Sequence, residues 1–313
     1  MGAYILRRLL QTIPVLFVTS VIVFSVLHLL PGDPARNLAG ADASPEEVRA
    51  VAARLGLDKP LLQQYLIYIA NVARGDFGNS YISSLSVRDL IAKAAPATIE
   101  LSVASFIVSL IVGVPFGIAA GLRPNSPWDF ALAGYTAAMH GLPNFLFAVL
   151  YLLLFAVILG WLPPGGRVDP FSDPIGELKH LALPMITLAL PLASIYARFL
   201  RTAIIDTIAQ DYVRTARSKG LTESAVLRRH VLRNAMLPLV TVVGIQFSRL
   251  LGGTVITESI FAWPGIGRLA LNAIGQRDYL LFQGIMLLLV LSAVFVNLIV
   301  EISYGFLDPR IRR

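Results

Sequence analysis

The side chains that most often do chemistry are sparse in this chain and poorly spaced for it. Its four histidines, His28, His140, His180 and His230, are scattered and share no metal-ligand spacing. There is no cysteine, which excludes disulfides, thiolate metal sites, cysteine nucleophiles and lipoprotein acylation. No Gly-x-x-x-x-Gly-Lys-Ser/Thr run occurs, so the chain has no P-loop for ATP. His-Glu-x-x-His and Gly-x-Ser-x-Gly are absent as well. The expectation is a non-enzyme with no catalytic residue, no metal and no cofactor of its own. Polar side chains concentrate instead in residues 201–236, RTAIIDTIAQDYVRTARSKGLTESAVLRRHVLRNAM. There Arg201, Arg214, Arg217, Lys219, Arg228, Arg229 and Arg233 stand against Asp206, Asp211 and Glu223. A basic segment of this kind either fixes membrane topology or meets a partner.

The order of residues inside it predicts an elbow. Ile205, Ile208, Ala209, Tyr212, Val213 and Ala216 recur at steps of three and four, which makes one apolar helical face. Gly220 supplies the stop, because glycine enters the left-handed conformation without steric penalty. Thr222 is placed to cap a second helix, which runs into Pro238. The small residues Ala216 and Gly220 form a corner where another surface can approach the backbone.

Composition sets the surroundings of this elbow. Hydrophobic residues make up 56% of the chain and charged residues 14%, outside the range of a soluble domain. The net charge of +7 comes from bases at the ends of apolar runs, which is a membrane pattern rather than a nucleic-acid one. The expected fold is an all-α integral membrane protein with six spans. The first, within residues 1–30, is the uncharged run 9–30 preceded by Arg7 and Arg8. Its exit, Leu30-Pro31-Gly32-Asp33-Pro34, does not fit a signal-peptide cleavage site. The others lie near 97–122, 141–161, 180–201, 235–258 and 279–303, inside a core of residues 97–306. Pro143 is expected to separate a shorter piece from the third span. Gly113, Gly117 and Gly121 in the second suit close helix packing in lipid.

Residues 31–96 read as a helical lobe outside the membrane, with seven bases and seven acids. Ser44-Pro45-Glu46-Glu47 forms a capping box, Val48, Val51, Ala52 and Leu55 share a face, and Gly56 ends that helix. A further helix starts at Pro60, with Leu62, Tyr65, Leu66 and Ile69 expected to face inward, and Gly75 stops it. With both termini inside, including the tail 307–313, the inner segments carry 13 Lys/Arg and the two short outer loops carry four. That parity places the elbow on the cytoplasmic side.

Within the spans, Arg249 is an unusual cation, with Gln246 and Gly253 one turn away on roughly the same face. It either lines a translocation path and meets a solute carboxylate, or pairs with another helix. Glu258 either gates the outer mouth or belongs to a turn built on Pro264 and two glycines.

Several stretches resemble one family. Asp211-Tyr212-Val213-Arg214-Thr215-Ala216-Arg217-Ser218-Lys219-Gly220-Leu221, with Arg233-Asn234-Ala235 and Leu237-Pro238, is similar to the cytoplasmic coupling loop of ABC-importer permeases of the peptide/nickel branch. The general importer loop has Glu-Ala-Ala where this chain has Arg214-Thr215-Ala216. Leu57 to Pro60, Arg74 to Gly78, Glu258 to Gly267, Arg277-Asp278-Tyr279 and the Asp308-Pro309-Arg310 tail are also similar to that branch. The resemblance implies type I importer permease architecture in the bacterial inner membrane. It implies a second homologous permease, two ATPase subunits that bind ATP and magnesium, an external solute-binding protein, and a peptide, glutathione or nickel-complex solute. Tyr212, Arg214, Thr215, Ala216, Lys219, Gly220 and Leu221 would then contact an ATPase. A self-sufficient secondary transporter is the main rival. It would need acids buried in mid-membrane, and Glu100, Glu258 and Glu301 all lie toward span ends.

Overall fold

A computed structural model describes residues 2–29, 34–40 and 43–307. The Leu30–Asp33 exit and the Asp308–Arg313 tail lie outside the described residues. Among the described residues the regular secondary structure is helical, joined by turns and loops. Helix α1 (Gly2–Leu29) is followed by α2 (Pro34–Ala39), α3 (Pro45–Leu55) and α4 (Leu61–Ala73). The long α5 (Val87–Leu122) leads to α6 (Pro127–Gly141) and α7 (Asn144–Tyr151), which continues as a π-helical turn through Ile158. Then come α8 (Pro174–Ile208), α9 (Asp211–Ser218), α10 (Glu223–Val226), α11 (Arg233–Gly253), α12 (Val255–Ile260), α13 (Ile266–Gly275) and α14 (Tyr279–Leu307).

Five helices are long and apolar enough to cross a membrane, and α6 with α7 makes a sixth bent by 99° at Leu142-Pro143. Proline lacks the amide that would continue the ladder, so the chain turns there. The helices outrun the apolar stretches. α5 begins at Val87 rather than near 97, and α8 begins at Pro174 rather than near 180. Arg88, Asp89 and Lys93 occupy the first turns of α5, where a helix stands clear of hydrocarbon and charge is tolerated. Asp173 starts α8 by accepting the Gly176 amide at 2.9 Å. The fifth span is instead shorter at its far end. α11 stops at Gly253 and α12 turns away after Thr254.

Small residues hold the centre. Gly113, Gly117 and Gly121 stack four apart on α5 against Ala193, Ala197 and Arg201, also four apart, on α8. A Cβ on Gly113 or Gly117 would lie 2.7 Å from the carbonyl oxygen of Ala193 or Ala197. Without side chains in the way the two backbones touch, and packing replaces the hydrophobic drive that lipid cannot supply.

In the lobe, Ser44 caps α3 with a full capping box, its amide donating to Glu47 Oε2 at 2.7 Å. Gly56 closes α3 at φ +70°. Val48, Val51 and Ala52 are half-buried as expected. The side chain of Leu55 lies outside the described residues. The expectation for α4 fails in part. Tyr65 and Ile69 face inward, but Leu62 and Leu66 face outward. Their places inside are taken by Gln64 and Tyr68.

Candidate functional site

The elbow is a braced bend. α8 ends at Ile208, and α9 departs after Gln210. Gly220 sits at φ +75° in open space, and α10 begins after Thr222 in extended backbone. From Glu223 the chain runs as one helix through a π-helical turn, Leu227–Leu232, into α11. Val213 and Ala216, three residues apart, point into a cluster with Tyr196, Leu200, Ile204, Val226 and Val231. Ala216 is therefore buried, 5% exposed, so its methyl group packs on its own chain and not at an open corner. Tyr212, Arg214, Thr215, Lys219, Gly220 and Leu221 are exposed.

Polar clasps lock the two limbs. The Arg217 guanidinium donates twice to Glu223, at 3.1 and 2.7 Å. Asn234 Nδ2 donates to the Tyr212 hydroxyl at 2.9 Å. Arg201, just above the elbow on α8, holds Asp129 at the start of α6 through both Nε and Nη2, the latter at 2.8 Å. Asp129 also accepts the Asn125 amide at 2.9 Å. α9 is thus tied to α8 through the Val213–Ala216 cluster, to α10 through Arg217 and to α11 through Asn234, and α8 to α6 through Arg201.

At the other end of the bundle Glu258 is fully buried. Thr98 of α5 donates to its Oε1 at 2.8 Å, and the Arg268 amide donates to its Oε2 at 3.0 Å. Thr98 Oγ1 in turn accepts the Ile266 amide at 2.8 Å. A Cβ on Gly265 or Gly267 would strike the Glu258 carboxylate, which is why this turn carries glycine at both places. Trp263, also buried, donates its indole N–H to the Ala97 carbonyl at 2.8 Å. Glu258 thus fastens the start of α13 to α5.

Arg249 is placed differently. It is exposed on α11, with Ile245 one turn before it and Gly252 and Gly253 after it, all exposed, and Gln246 half-buried beside it. It makes no ion pair among the described residues. Of the two readings of Arg249, a pair with another helix of this chain finds no ion-pair partner among the described residues.

Sequence reasoning missed four sets of contacts. Asp129 and Arg201 are 72 residues apart, Thr98 and Glu258 are 160 apart, and neither pair has a local signature. Arg167 bridges Glu100 and Glu177, at 2.8 and 3.6 Å. Asp278 caps α14 through the Leu281 amide at 3.3 Å and binds Ser80 and the Tyr81 amide from the lobe. An aspartate before an apolar run was its readable signal.

Among the described residues, five long apolar helices and a sixth, bent span around a glycine-packed helix pair, with a braced elbow at one end, define a multi-span membrane protein. The chain belongs to the family described as "Binding-protein-dependent transport system inner membrane component", whose model matches residues 113–313. The N-terminal membrane component model of such systems matches residues 1–102. It is 42% identical to the glutathione transport system permease protein GsiC of Salmonella typhimurium and 41% identical to that of Escherichia coli K12. Each alignment covers 311 residues, 99% of this chain and 98% of the relative. Solved structures share the fold at low identity. An inward-facing MetNI methionine ABC transporter chain aligns with TM-score 0.57 and 18% identity over 70% of this chain and 96% of that one. An amino acid ABC transporter crystallised with histidines gives 0.54 and 15% over 69% and 94%. The chain is a multi-pass inner-membrane permease subunit of an ABC importer, of type I architecture, and not an enzyme. Membership implies ATPase and substrate-binding partners.

Proposed function

We propose that this chain forms half of the translocation path for peptide-like solutes of the glutathione class, with a second homologous permease forming the other half. Both termini and the elbow face the cytoplasm, and the lobe faces outward. Tyr212, Arg214, Thr215, Lys219, Gly220 and Leu221 form the surface that an ATPase grips, and Ala216 holds that surface to α8. ATP binding closes the ATPases, the elbow moves, and the path switches between two openings.

The observation that carries this reading is Arg249. A guanidinium without an ion-pair partner among the described residues, on an apolar helix, is costly against lipid and belongs beside water, a solute or another subunit. Glutathione offers carboxylates, and guanidinium binds carboxylate through two parallel hydrogen bonds. The open face of α11, with Gln246 beside Arg249, is the wall of the path, and Glu258 holds its outer rim in shape. The relatives named for glutathione transport support the solute class.

The test is ATP-driven uptake by the assembled importer in proteoliposomes, with its binding protein supplied. Arg249→Ala should reduce glutathione uptake at least tenfold while the purified complex keeps its subunit ratio. Arg249→Lys should recover only part, since a point charge does not make the bidentate contact. Full uptake by Arg249→Ala would remove Arg249 from the path.

A further inference from the structure

Helix α4 is built inside out. Its outward residues Leu61, Leu62, Leu66 and Ile67 are 60, 72, 60 and 39% exposed. Its half-buried inward face carries Gln64, Tyr65, Tyr68 and Asn71 beside Ile69 and Val72. Gln64 Nε2 donates to the carbonyls of Leu57 and Lys59, at 3.2 and 2.8 Å. The Tyr65 hydroxyl meets Ser20 Oγ at 2.8 Å. A helix between protein and water turns its apolar stripe to the protein. α4 also turns four large apolar side chains outward, and carries no charge from Leu61 to Ala73.

Its depth can be read from the helices beside it. α1 and α14 lie antiparallel, with Arg8 and Glu301 paired at 3.3 Å and Gln283 Nε2 donating to the Val23 carbonyl at 3.5 Å. At 1.5 Å per residue, Arg8 to Val23 is about 22 Å, and Gln283 back to Asp278 is about 8 Å more. The sum of about 30 Å is the thickness of a bilayer's hydrocarbon core. Ser20 then lies about 12 Å inside the outer edge. The Tyr65 ring packs edge-on against Phe17 and Phe24, with centroids 6.3 and 5.4 Å away. Phe17 is itself 59% exposed, so the apolar surface of α1 continues onto α4.

We propose that α4 is an interfacial helix seated in the outer leaflet, with Leu61, Leu62, Leu66 and Ile67 among acyl chains. The occupant of this face is lipid. The lobe therefore does not stand wholly clear of the membrane. It dips one helix into it beside the first span. Which leaflet holds α4 rests on the orientation proposed above, but the depth does not.

The chain has no cysteine of its own, so a thiol placed in it is unique once the partner subunits are made cysteine-free. Leu62→Cys and Leu66→Cys, in the assembled importer in lipid nanodiscs, would carry nitroxide labels. Arg49→Cys serves as the water reference and an acyl-chain-labelled lipid as the lipid reference. Electron paramagnetic resonance saturation with oxygen and with a nickel chelate then gives depth. The expected result is strong oxygen access and nickel exclusion at both sites, at a depth near that of Ser20, roughly 12 Å inside the outer edge of the hydrocarbon core. Nickel access equal to that at Arg49→Cys would show a wet face and overturn the proposal. Exclusion of both reagents would show a covering protein, companion permease or binding protein, and would overturn it equally. A Leu66→Trp variant whose fluorescence is quenched by brominated lipid gives a second reading; absence of quenching refutes the lipid contact. Labelling of Arg49→Cys by an impermeant maleimide only from the inner side would refute the orientation and leave the lipid contact standing.

Discussion

Gly117 of α5 lies under the backbone of Ala197 on α8, so close that a Cβ would sit 2.7 Å from the Ala197 carbonyl oxygen and 2.9 Å from its Cα. The obstacle is backbone on a packed helix and cannot rotate away. Gly117→Ala should therefore destabilise the helix pair by about 1–3 kcal/mol, the usual penalty of overpacking. Gly134→Ala on α6 meets nothing within 4 Å and should gain helix propensity, up to about 1 kcal/mol. Denaturant titration of the purified complex checks both signs.

The two small residues of the elbow should behave oppositely. Gly220 faces open space, so Gly220→Arg should leave the complex inserted and the elbow folded while blocking ATPase docking by bulk and strain. Ala216→Arg places a charge inside the cluster of Val213, Val226 and Val231, and should unfold the elbow itself. Uptake, ATPase pull-down and limited proteolysis separate the outcomes. Wild-type uptake by Gly220→Arg would make the elbow a topological loop only.

Glu258 and Thr98 should act as a unit. Glu258→Ala strands the Thr98 hydroxyl and the Arg268 amide, a loss of roughly 1–3 kcal/mol for each stranded group. Thr98→Val breaks the Thr98–Glu258 link from the other side and strands the Ile266 amide, leaving the Arg268–Glu258 bond in place. In a double-mutant cycle the coupling should fall within about 0.5–3 kcal/mol. Strict additivity would mean that Glu258 does not hold α13 to α5.

The lobe should loosen in acid at a defined place. The Ser44 amide and hydroxyl hold the Glu47 carboxyl below its ordinary range. A depressed carboxylate lends its stability above the unfolded value, about 4.3, and loses it as pH falls through the folded value. Hydrogen-exchange protection at the start of α3 should therefore drop below about pH 4. Ser44→Ala should bring the same loss at neutral pH.

Much of the architecture was readable because hydropathy is a property of consecutive residues. The span interiors, the break at Pro143, the Ser44 cap and the glycine stripe on α5 all follow from local pattern. Helix ends were not readable. Arg88 and Lys93 look like loop residues although they stand on the exposed first turns of α5. Leu62 and Leu66 were assigned inward by a rule that supposes water outside, and they face outward. The clasps Arg201–Asp129 and Glu258–Thr98 join residues far apart in the chain, and no spacing in a single sequence encodes such a meeting. Arg249 stood out by type alone, while its openness needed the structure.

The second limb of the elbow and the helix bearing Arg249 are one rod. From Glu223 to Arg249 it runs 26 residues, about 39 Å at helical rise. A rod clamped at its foot is a lever. Tilting that foot by about 10° sweeps the Arg249 Cα sideways by about 7 Å, roughly a side chain's width, on this helical geometry. If the segment stays straight through its π-helical turn and Pro238, the guanidinium moves with the foot. A solute held at Arg249 would weigh on the far arm, and the effort needed at the elbow would register whether the path is loaded.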